Sequence, residues 1–210
     1  MEAPDWMIAG GRLDELAFQG ALAAARLGEE WAVALLWRDL HPRILRYLRV
    51  AVGDPDAEDV ASDVWLDVAR GLRRFDGDQS AFRAWVFTIA RRRVIDAGRK
   101  QQRRRTDPVS PQVVDRASAD TADELEARLA LDAALRRVAR LPGDQAEVVA
   151  LRVLAGLSAE QVAVIVGKRA GAVRVLQHRG LRRLENQLAA EGVTLQTGAA
   201  IFGVDEPLTA

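Results

Sequence analysis

The sequence contains no cysteine, which excludes disulfide bonds and thiolate metal ligands and makes a reducing cytoplasm the expected location. Its two histidines, His41 and His178, lie far apart in the chain and fit surface or groove positions better than metal ligation. Glycine-rich phosphate loops and dinucleotide-binding fingerprints are absent from the sequence as well. We therefore expect neither an enzyme nor a protein that holds a metal or a cofactor.

Long hydrophobic runs are also lacking. No apolar stretch approaches the roughly 18–20 residues that a membrane-spanning helix needs. The first residues, MEAPDWMIAGGR, do not have the basic and then apolar layout of a secretory signal. We expect no membrane insertion.

Net charge is missing too, because 30 basic residues balance 30 acidic ones. The charge is instead divided by region. Between Phe82 and Arg105, nine Arg or Lys residues accompany a single acid, Asp96, whereas six acids and a single base lie between Asp107 and Glu126. The basic stretch predicts an anionic partner such as a nucleic acid, and the abrupt reversal of charge needs a separate explanation.

Alternating β-type patterns are scarce before the last part of the chain, and helical spacing dominates. Four apolar residues at four-residue intervals predict a helix from Ala57 to Arg74: Val60, Val64, Val68 and Leu72. Pro42 is expected to end one helix or to open the next, because proline lacks a backbone N–H. Ser80 is expected to cap the basic helix that follows.

The second half of the chain has the pattern of a helix-turn-helix. A helix from about Ala122 is expected to end at Pro142-Gly143, with Asp144 as the cap of the next helix. Ser158 and Gln161 have capping-box spacing, Gly167 ends the short helix they open, and a longer basic helix runs from about Ala170 to Leu188. The alternative is a three-helix bundle whose basic side chains are only solvated, but the cap, the glycine turn and the second helix in register favour the DNA-binding interpretation.

The predicted fold class is all-α, with two small helical domains. A four-helix domain occupies residues 12–105, an extended acidic linker residues 106–122, and the helix-turn-helix domain residues 123–190. Residues 1–11 form a flexible N-terminus, and residues 191–210 form a tail of unassigned role.

Aromatic residues precede the arginines of the basic helix. Phe82 and Trp85 have the spacing of a buried stripe, so core packing is favoured for both. Phe87 lies off that stripe and is the candidate for stacking on an unpaired base. Asp96 is spaced to pair with arginines one turn away on either side and so to fix their direction.

Two segments resemble a known family. Residues 56–100, DAEDVASDVWLDVARGLRRFDGDQSAFRAWVFTIARRRVIDAGRK, resemble the second conserved region of bacterial sigma factors. Residues 141–184, LPGDQAEVVALRVLAGLSAEQVAVIVGKRAGAVRVLQHRGLRRL, resemble their fourth region. With no third domain between them, the chain is similar to the two-domain extracytoplasmic function (ECF) group. The resemblance implies a subunit that binds core RNA polymerase and promoter DNA and directs promoter-specific initiation.

The resemblance also implies site residues. The segment from Ala57 to Leu72 docks on the clamp coiled coil of the largest polymerase subunit, and the flap of the second-largest subunit is a further contact. The polymerase-binding candidates are Asp56, Glu58, Asp59, Asp63, Trp65 and Asp67. The loop from Phe75 to Arg83 receives a flipped base of the minus-ten element, and the helix after it contacts the melting region. The minus-ten candidates are Asp76, Asp78, Gln79, Ser80, Arg83, Phe87, Arg91, Arg92, Arg93, Asp96, Arg99 and Lys100.

The longer helix of the helix-turn-helix is implied to enter the major groove of the minus-thirty-five element. Its candidates are Lys168, Arg169, Arg174, Val175, His178, Arg179 and Arg182. Family members commonly place a hydroxyl residue where this helix opens, whereas this chain has Lys168-Arg169-Ala170. The capping and the base preference of the helix are therefore open.

Two further expectations concern partners. The acidic linker is predicted to thread a basic channel of the polymerase, and an anti-sigma protein is a partner that the resemblance admits. The competing interpretation is a DNA-binding regulator that uses the helix-turn-helix without polymerase, as a dimer. That interpretation explains the second domain but leaves the first without a role.

Overall fold

A computed structural model describes residues 13–104 and 121–191 of the chain, with the side chains of residues 103 and 104 left out. Within those ranges the chain forms eight α-helices and one π-helical segment, and no strand. They belong to two compact units, divided between Pro111 and Gln112. The all-α, two-domain prediction is confirmed, while the exact domain boundaries stay predictions because the linker and both termini fall almost entirely outside the described residues.

Four helices build the first unit: α1 (Glu15–Arg26), α2 (Glu30–Val52), α3 (Asp54–Leu72) and α4 (Gln79–Arg104). Helix α1 begins where the Asp14 carboxylate accepts a hydrogen bond from the Ala17 N–H at 2.7 Å. The predicted ladder on α3 is confirmed, since its four apolar residues are all buried. They pack with Phe18, Leu22, Ile44 and Leu48 into one core.

Pro42 does not end a helix, and that prediction is wrong. It lies inside α2, with its own ring exposed to solvent. Leu40 precedes it and Ile44 follows it on the buried face, at 2% and 0% exposure. Burial of that stripe on both sides of the proline outweighs the single backbone hydrogen bond that proline removes.

The cap of α4 also differs from the prediction. Asp78, rather than Ser80, accepts the hydrogen bond from a free backbone N–H, that of Ala81, at 2.6 Å. The Asp78 carbonyl also accepts from the Phe82 N–H at 2.9 Å. The helix therefore starts earlier than expected, and Ser80 lies within its first turn.

The second unit contains α5 (Ala122–Ala139), α6 (Gly143–Val149), a π-helical segment (Ala150–Leu154), α7 (Ala159–Val166) and α8 (Ala170–Ala190). Helix α5 opens with a capping box between Thr121 and Glu124 that the sequence analysis missed. Asp144 does not cap α6, because Pro142 occupies the cap position and Asp144 lies in the first turn. Its carboxylate accepts a hydrogen bond from Lys168 instead, at 3.0 Å.

Candidate nucleic-acid interface

The turn between α7 and α8 has the geometry that the sequence predicts. The Ser158 hydroxyl accepts from the Gln161 N–H at 3.1 Å, and the Gln161 side chain accepts from the Ser158 N–H at 2.8 Å. Gly167 ends α7 in the left-handed region, at φ 67°, which a side chain would strain. Helix α8 then begins at Ala170, so a single connection of three residues, opened by this glycine, joins the two helices.

Helix α8 separates a buried side from an exposed side. Val173 and Leu184 are buried at 0% and 7% exposure, and Gly180 is buried with them. All seven residues predicted for upstream DNA contact are exposed: Lys168, Arg169, Arg174, Val175, His178, Arg179 and Arg182. The face that the sequence assigns to DNA is therefore available to a partner.

Two contacts hold α8 close to the rest of its unit. A Cβ placed on Gly180 would lie 2.7 Å from Val149 Cγ2, so only glycine allows this approach to α6. Arg152, in the π-helical segment, donates from Nε to Gln177 Oε1 at 2.8 Å and from its guanidinium to the Leu157 carbonyl. The exposed face of α8 is thus carried on a helix that is fixed from behind, as precise reading of base edges requires.

Acidic residues from neighbouring helices reach two of the predicted contacts. Arg174 Nη2 lies 2.5 Å from Glu160 Oε1, and Lys168 Nζ lies 3.0 Å from Asp144 Oδ2. Arg169 occupies the cap position of α8 without a side-chain cap bond, which answers the question of capping that the sequence left open. With Arg179 and Arg182, it forms no ion pair with any other described residue, so these three cations remain available.

Phe87 cannot stack on a base, and that prediction is wrong. Its side chain is 0% exposed, and its ring meets Tyr47 of α2 edge-on at 5.7 Å. The buried side of α4 is wider than a single stripe because α1, α2 and α3 all contact it. Phe82 is buried as expected, at 1% exposure.

The core packing expected for Trp85 is confirmed only in part, because Trp85 is the least buried aromatic residue of this helix. It is half-buried, with Phe75 stacked on one side at 5.0 Å. Gly71 lies against its ring so closely that a Cβ there would be 2.6 Å from Trp85 Cζ2. A groove of about 410 Å³ runs between α3 and α4, with Trp85 in its lining and Arg70, Arg74 and Arg92 among the cations around it.

The predicted minus-ten residues are not equally accessible. Seven are exposed: Asp76, Asp78, Ser80, Arg92, Asp96, Arg99 and Lys100. Four are half-buried: Gln79, Arg83, Arg91 and Arg93. Arg99 Nη1 lies 3.6 Å from Asp96 Oδ1, which is one of the pairings that the spacing predicts.

Arg93 is engaged within the unit. Its Nε and Nη2 lie 2.7 and 2.6 Å from Asp67 Oδ2, and its Nη1 lies 3.9 Å from Asp63. Burial acts to raise the pKa of Asp67, but hydrogen bonds and charge from Arg93 and Arg70 outweigh it, and that pKa is lowered. A predicted DNA contact and a predicted polymerase contact are therefore partners of each other, and both have a structural task in joining α3 to α4.

The loop between α3 and α4 is tied to α1 at both ends of that helix. Gln79 donates from Nε2 to the Leu13 carbonyl at 2.8 Å, and its backbone N–H lies 3.3 Å from both Glu15 carboxylate oxygens. Arg26 donates to the Phe75 carbonyl and lies 3.7 Å from Asp76. The loop is held at its base while the Asp76 side chain projects fully into solvent.

The residues predicted to bind polymerase lie on α3. Asp56, Glu58, Asp59 and Asp63 are exposed, and Trp65 and Asp67 are half-buried. Trp65 donates from Nε1 to His41 Nδ1 at 3.3 Å, and His41 stacks on Trp37 of α2 at 4.2 Å. Burial lowers the pKa of His41 against the opposing charge of Glu58, which suits a neutral ring that accepts this bond.

Two apolar residues on this side of the first unit were missed by the sequence analysis. Leu66 is 54% exposed on α3, and Trp37 is 42% exposed on α2. The sequence held a signal for Leu66, because it lies out of phase with the valine ladder and has Asp63 one turn before it and Arg70 one turn after it. Together with the acids of α3, these two residues leave both apolar and acidic groups exposed on this unit.

Comparison with known proteins gives matches over both units. The family model for Sigma-70 region 2 matches residues 36–104, and that for Sigma-70, region 4, matches residues 131–184. An ECF RNA polymerase sigma factor, SigD of Mycobacterium tuberculosis, is 35% identical over 198 residues, covering 90% of each chain. The ECF RNA polymerase sigma factor ShbA of Streptomyces griseus is 36% identical over 184 residues, covering 82% of this chain and 96% of the relative.

Solved structures share the fold. CnrH, solved in complex with the cytosolic domain of CnrY, has a TM-score of 0.58 and 22% identity, covering 82% of this chain and 97% of its own. RpoE of Bartonella quintana, solved with the anti-sigma factor NepR, has a TM-score of 0.58 and 22% identity, covering 74% and 96%. Within the described residues, none of the helices combines the length and the apolar character that a membrane span requires.

Proposed function

Because the chain belongs to the sigma-70 family of RNA polymerase sigma factors, in its ECF group, we propose how its two units divide the work of initiation. As a member of this group it acts with RNA polymerase in promoter-specific transcription initiation. The alternative of a regulator that binds DNA without polymerase is not favoured, because both sigma regions are present.

We assign the minus-thirty-five element to the exposed face of α8. The observation that carries this assignment is a row of cations, including Arg169, Arg179 and Arg182, on a helix fixed from behind by Gly180 and Arg152. Arginine side chains on such a helix bond to guanine edges in the major groove and to phosphates. Val175, 49% exposed, offers an apolar contact to a thymine methyl group.

We assign the minus-ten element to the loop after α3 and to the groove between α3 and α4. The loop is held by α1 while Asp76 and Asp78 face solvent, which suits capture of a base that has left the stack. Trp85 takes the stacking role that Phe87 cannot fill, and Arg92 with Arg74 follows the phosphates. We do not assign Arg93 to DNA contact, because its guanidinium joins α4 to α3 through Asp67.

We assign polymerase docking to the outer face of α3, with Leu66 at its centre. Its exposed apolar side chain lies among the acids Asp59 and Asp63, and Trp37 and Trp65 extend the surface toward α2. An apolar centre surrounded by a polar rim is the usual layout of a protein–protein interface. The family suggests that the clamp coiled coil of the largest polymerase subunit covers this face of α3. It also suggests that the flap of the second-largest subunit contacts the second unit.

An inhibitory protein is a further proposed partner. The RpoE relative of Bartonella quintana was solved with an anti-sigma factor, and the fold is shared. A protein of that class would act by covering the α3 face or the α8 face. We propose that the chain acts in the cytoplasm, where polymerase and promoter DNA are found, without inserting into a membrane.

The assignment of docking and melting to different faces can be tested with two variants. Leu66→Glu should lower capture of the full chain by core polymerase about tenfold or more, because it places a charge at an apolar contact. Arg92→Ala should leave capture unchanged and reduce promoter opening, measured by permanganate reactivity of unpaired thymines, on every promoter. Ala23→Glu, an exposed change on α1, is the matched control for the added charge. Capture of Leu66→Glu at the wild-type level would refute the docking surface.

A further inference from the structure

Two acidic side chains lie on the surface that carries α8, and each engages a cation assigned to the promoter. Glu160, in the first turn of α7, holds Arg174 at 2.5 Å, and Asp144, in the first turn of α6, holds Lys168 at 3.0 Å. Each neutralised phosphate raises the affinity of a protein for DNA, and each nearby carboxylate opposes it. On a surface that contributed only affinity for DNA, acidic residues at these positions would be a disadvantage.

The Arg174–Glu160 pair is the more exposed of the two pairs, because the Lys168 side chain is only 33% exposed. The side chains of Arg174 and Glu160 are 61% and 63% exposed, so the pair faces solvent rather than the core. Glu160 lies at the N-terminal end of α7, where free backbone N–H groups otherwise favour a phosphate. Hydrogen bonds from its own backbone and from the Ser158 side chain, and then Arg174, lower the pKa of Glu160, so it is charged at neutral pH.

Stability does not account for this pair. Exposed ion pairs contribute little to folding, because water screens the charges and two long side chains lose their freedom. The pair instead changes what Arg174 can do. A carboxylate acceptor fixes the direction of the guanidinium before DNA arrives, which lowers the entropy lost when it meets a base edge. The same carboxylate repels the phosphates of any sequence.

We propose that Glu160 determines the specificity of upstream reading: it positions Arg174 toward a base edge and weakens contact with phosphates. The proposal rests on the proposed function of α8 as the reader of the minus-thirty-five element. Glu160 acts through Arg174 and is a positioning residue. Its negative charge also lowers the affinity for non-specific DNA, an effect that the cations of α8 cannot have.

The test uses holoenzyme assembled from the full chain and core polymerase. One assay selects promoters from a library with a randomised upstream element, and a second measures the salt dependence of binding to a fixed duplex without a promoter. The variants are Glu160→Gln, Arg174→Ala and the double change. Glu185→Gln is the matched control, because it removes the same charge from an exposed position in the C-terminal half of α8.

Glu160→Gln should lower base discrimination about fivefold at the positions that Arg174→Ala also relaxes, the low end for one specific contact. Its salt slope on promoter-free DNA should steepen by about one. The double variant should discriminate no worse than Arg174→Ala alone, and the helical circular dichroism of Glu160→Gln should match the wild type. Glu185→Gln should leave the selected bases unchanged.

Two results overturn the inference. Either Glu160→Gln selects the same bases as strongly as the wild type, or it behaves like Glu185→Gln in both assays. A wild-type holoenzyme that selects no upstream bases would instead overturn the role of α8 itself, so the two failures are distinguishable.

Discussion

Replacing Gly180 by alanine should destabilise the second unit, although alanine is the better helix former. Gly180 lies in the middle of α8, where glycine costs about 1 kcal/mol relative to alanine. A new Cβ would lie 2.7 Å from Val149 Cγ2 and 3.6 Å from the Gln145 Cβ. Because carbon atoms rest at about 3.5–4.0 Å, α8 or Val149 must shift by about 1 Å.

The expected change in unfolding free energy is the difference between two opposing effects. Overpacking of this kind costs about 1–3 kcal/mol, and the gain in helix propensity offsets about 1 kcal/mol of it. We expect a net loss of about 1 kcal/mol for Gly180→Ala. Gly171→Ala is the matched control on the same helix, because nothing lies within 4 Å of its Cβ position. It should stabilise the unit by up to about 1 kcal/mol.

Urea unfolding with two probes isolates the effect. All five tryptophans precede residue 86, so their fluorescence reports the first unit, while far-ultraviolet circular dichroism reports helix in both. With a slope of about 1 kcal/mol per molar urea for a small domain, Gly180→Ala should lower the midpoint of the second unit by about 1 M. The tryptophan transition should not move.

A rescue variant completes the experiment. Val149→Ala removes the methyl group that the new side chain meets, so the double variant should lose less stability than the two single costs predict together. Upstream DNA binding should fall with Gly180→Ala, because the reading face moves with the helix, and should be unaffected by Gly171→Ala. If Gly180→Ala stabilised the unit as Gly171→Ala does, the close approach of α8 to α6 would be refuted.

Two further predictions concern the first unit. Phe87→Ala should lower its unfolding free energy by about 3–5 kcal/mol, measured by tryptophan fluorescence, because it empties a buried site against Tyr47; a stable variant with a selective melting defect would contradict burial. Arg93→Ala should lower the unfolding free energy of the first unit by about 1 kcal/mol at neutral pH. Because the pKa of Asp67 is lowered in the folded state, this pair stabilises above the ordinary value of 3.8, and the cost should shrink as pH falls below it; a cost that persists unchanged in acid would exclude the pair as its cause.

The sequence predicted correctly those features that depend only on residues close together in the chain. The valine ladder of α3 and the capping box at Ser158 need only residues within one or two turns, and both are confirmed. Pro42 and Phe87 depend on what packs against a helix from elsewhere. Periodicity gives the direction of a stripe but not its width, and three helices around α4 bury Phe87 as well.

The ion pairs between different helices could not be predicted for the same reason. Spacing within a helix indicated the Asp96–Arg99 contact, since both lie on α4. The contact of Arg93 with Asp67 joins residues from different helices, so no spacing rule reaches it. The same holds for Glu160, whose acidic side chain counted only as part of a net charge until its partner was known.

The hydrogen bonds between α1 and the loop after α3 mean that residues far earlier in the chain control how this loop is held. The region 2 match begins at residue 36, whereas the loop is anchored by Leu13, Glu15 and Arg26. A helix outside the segment that the region 2 model matches thus restrains the loop that we propose for the minus-ten element. Substitutions confined to α1 can therefore change how this loop is held without any change within the matched segment.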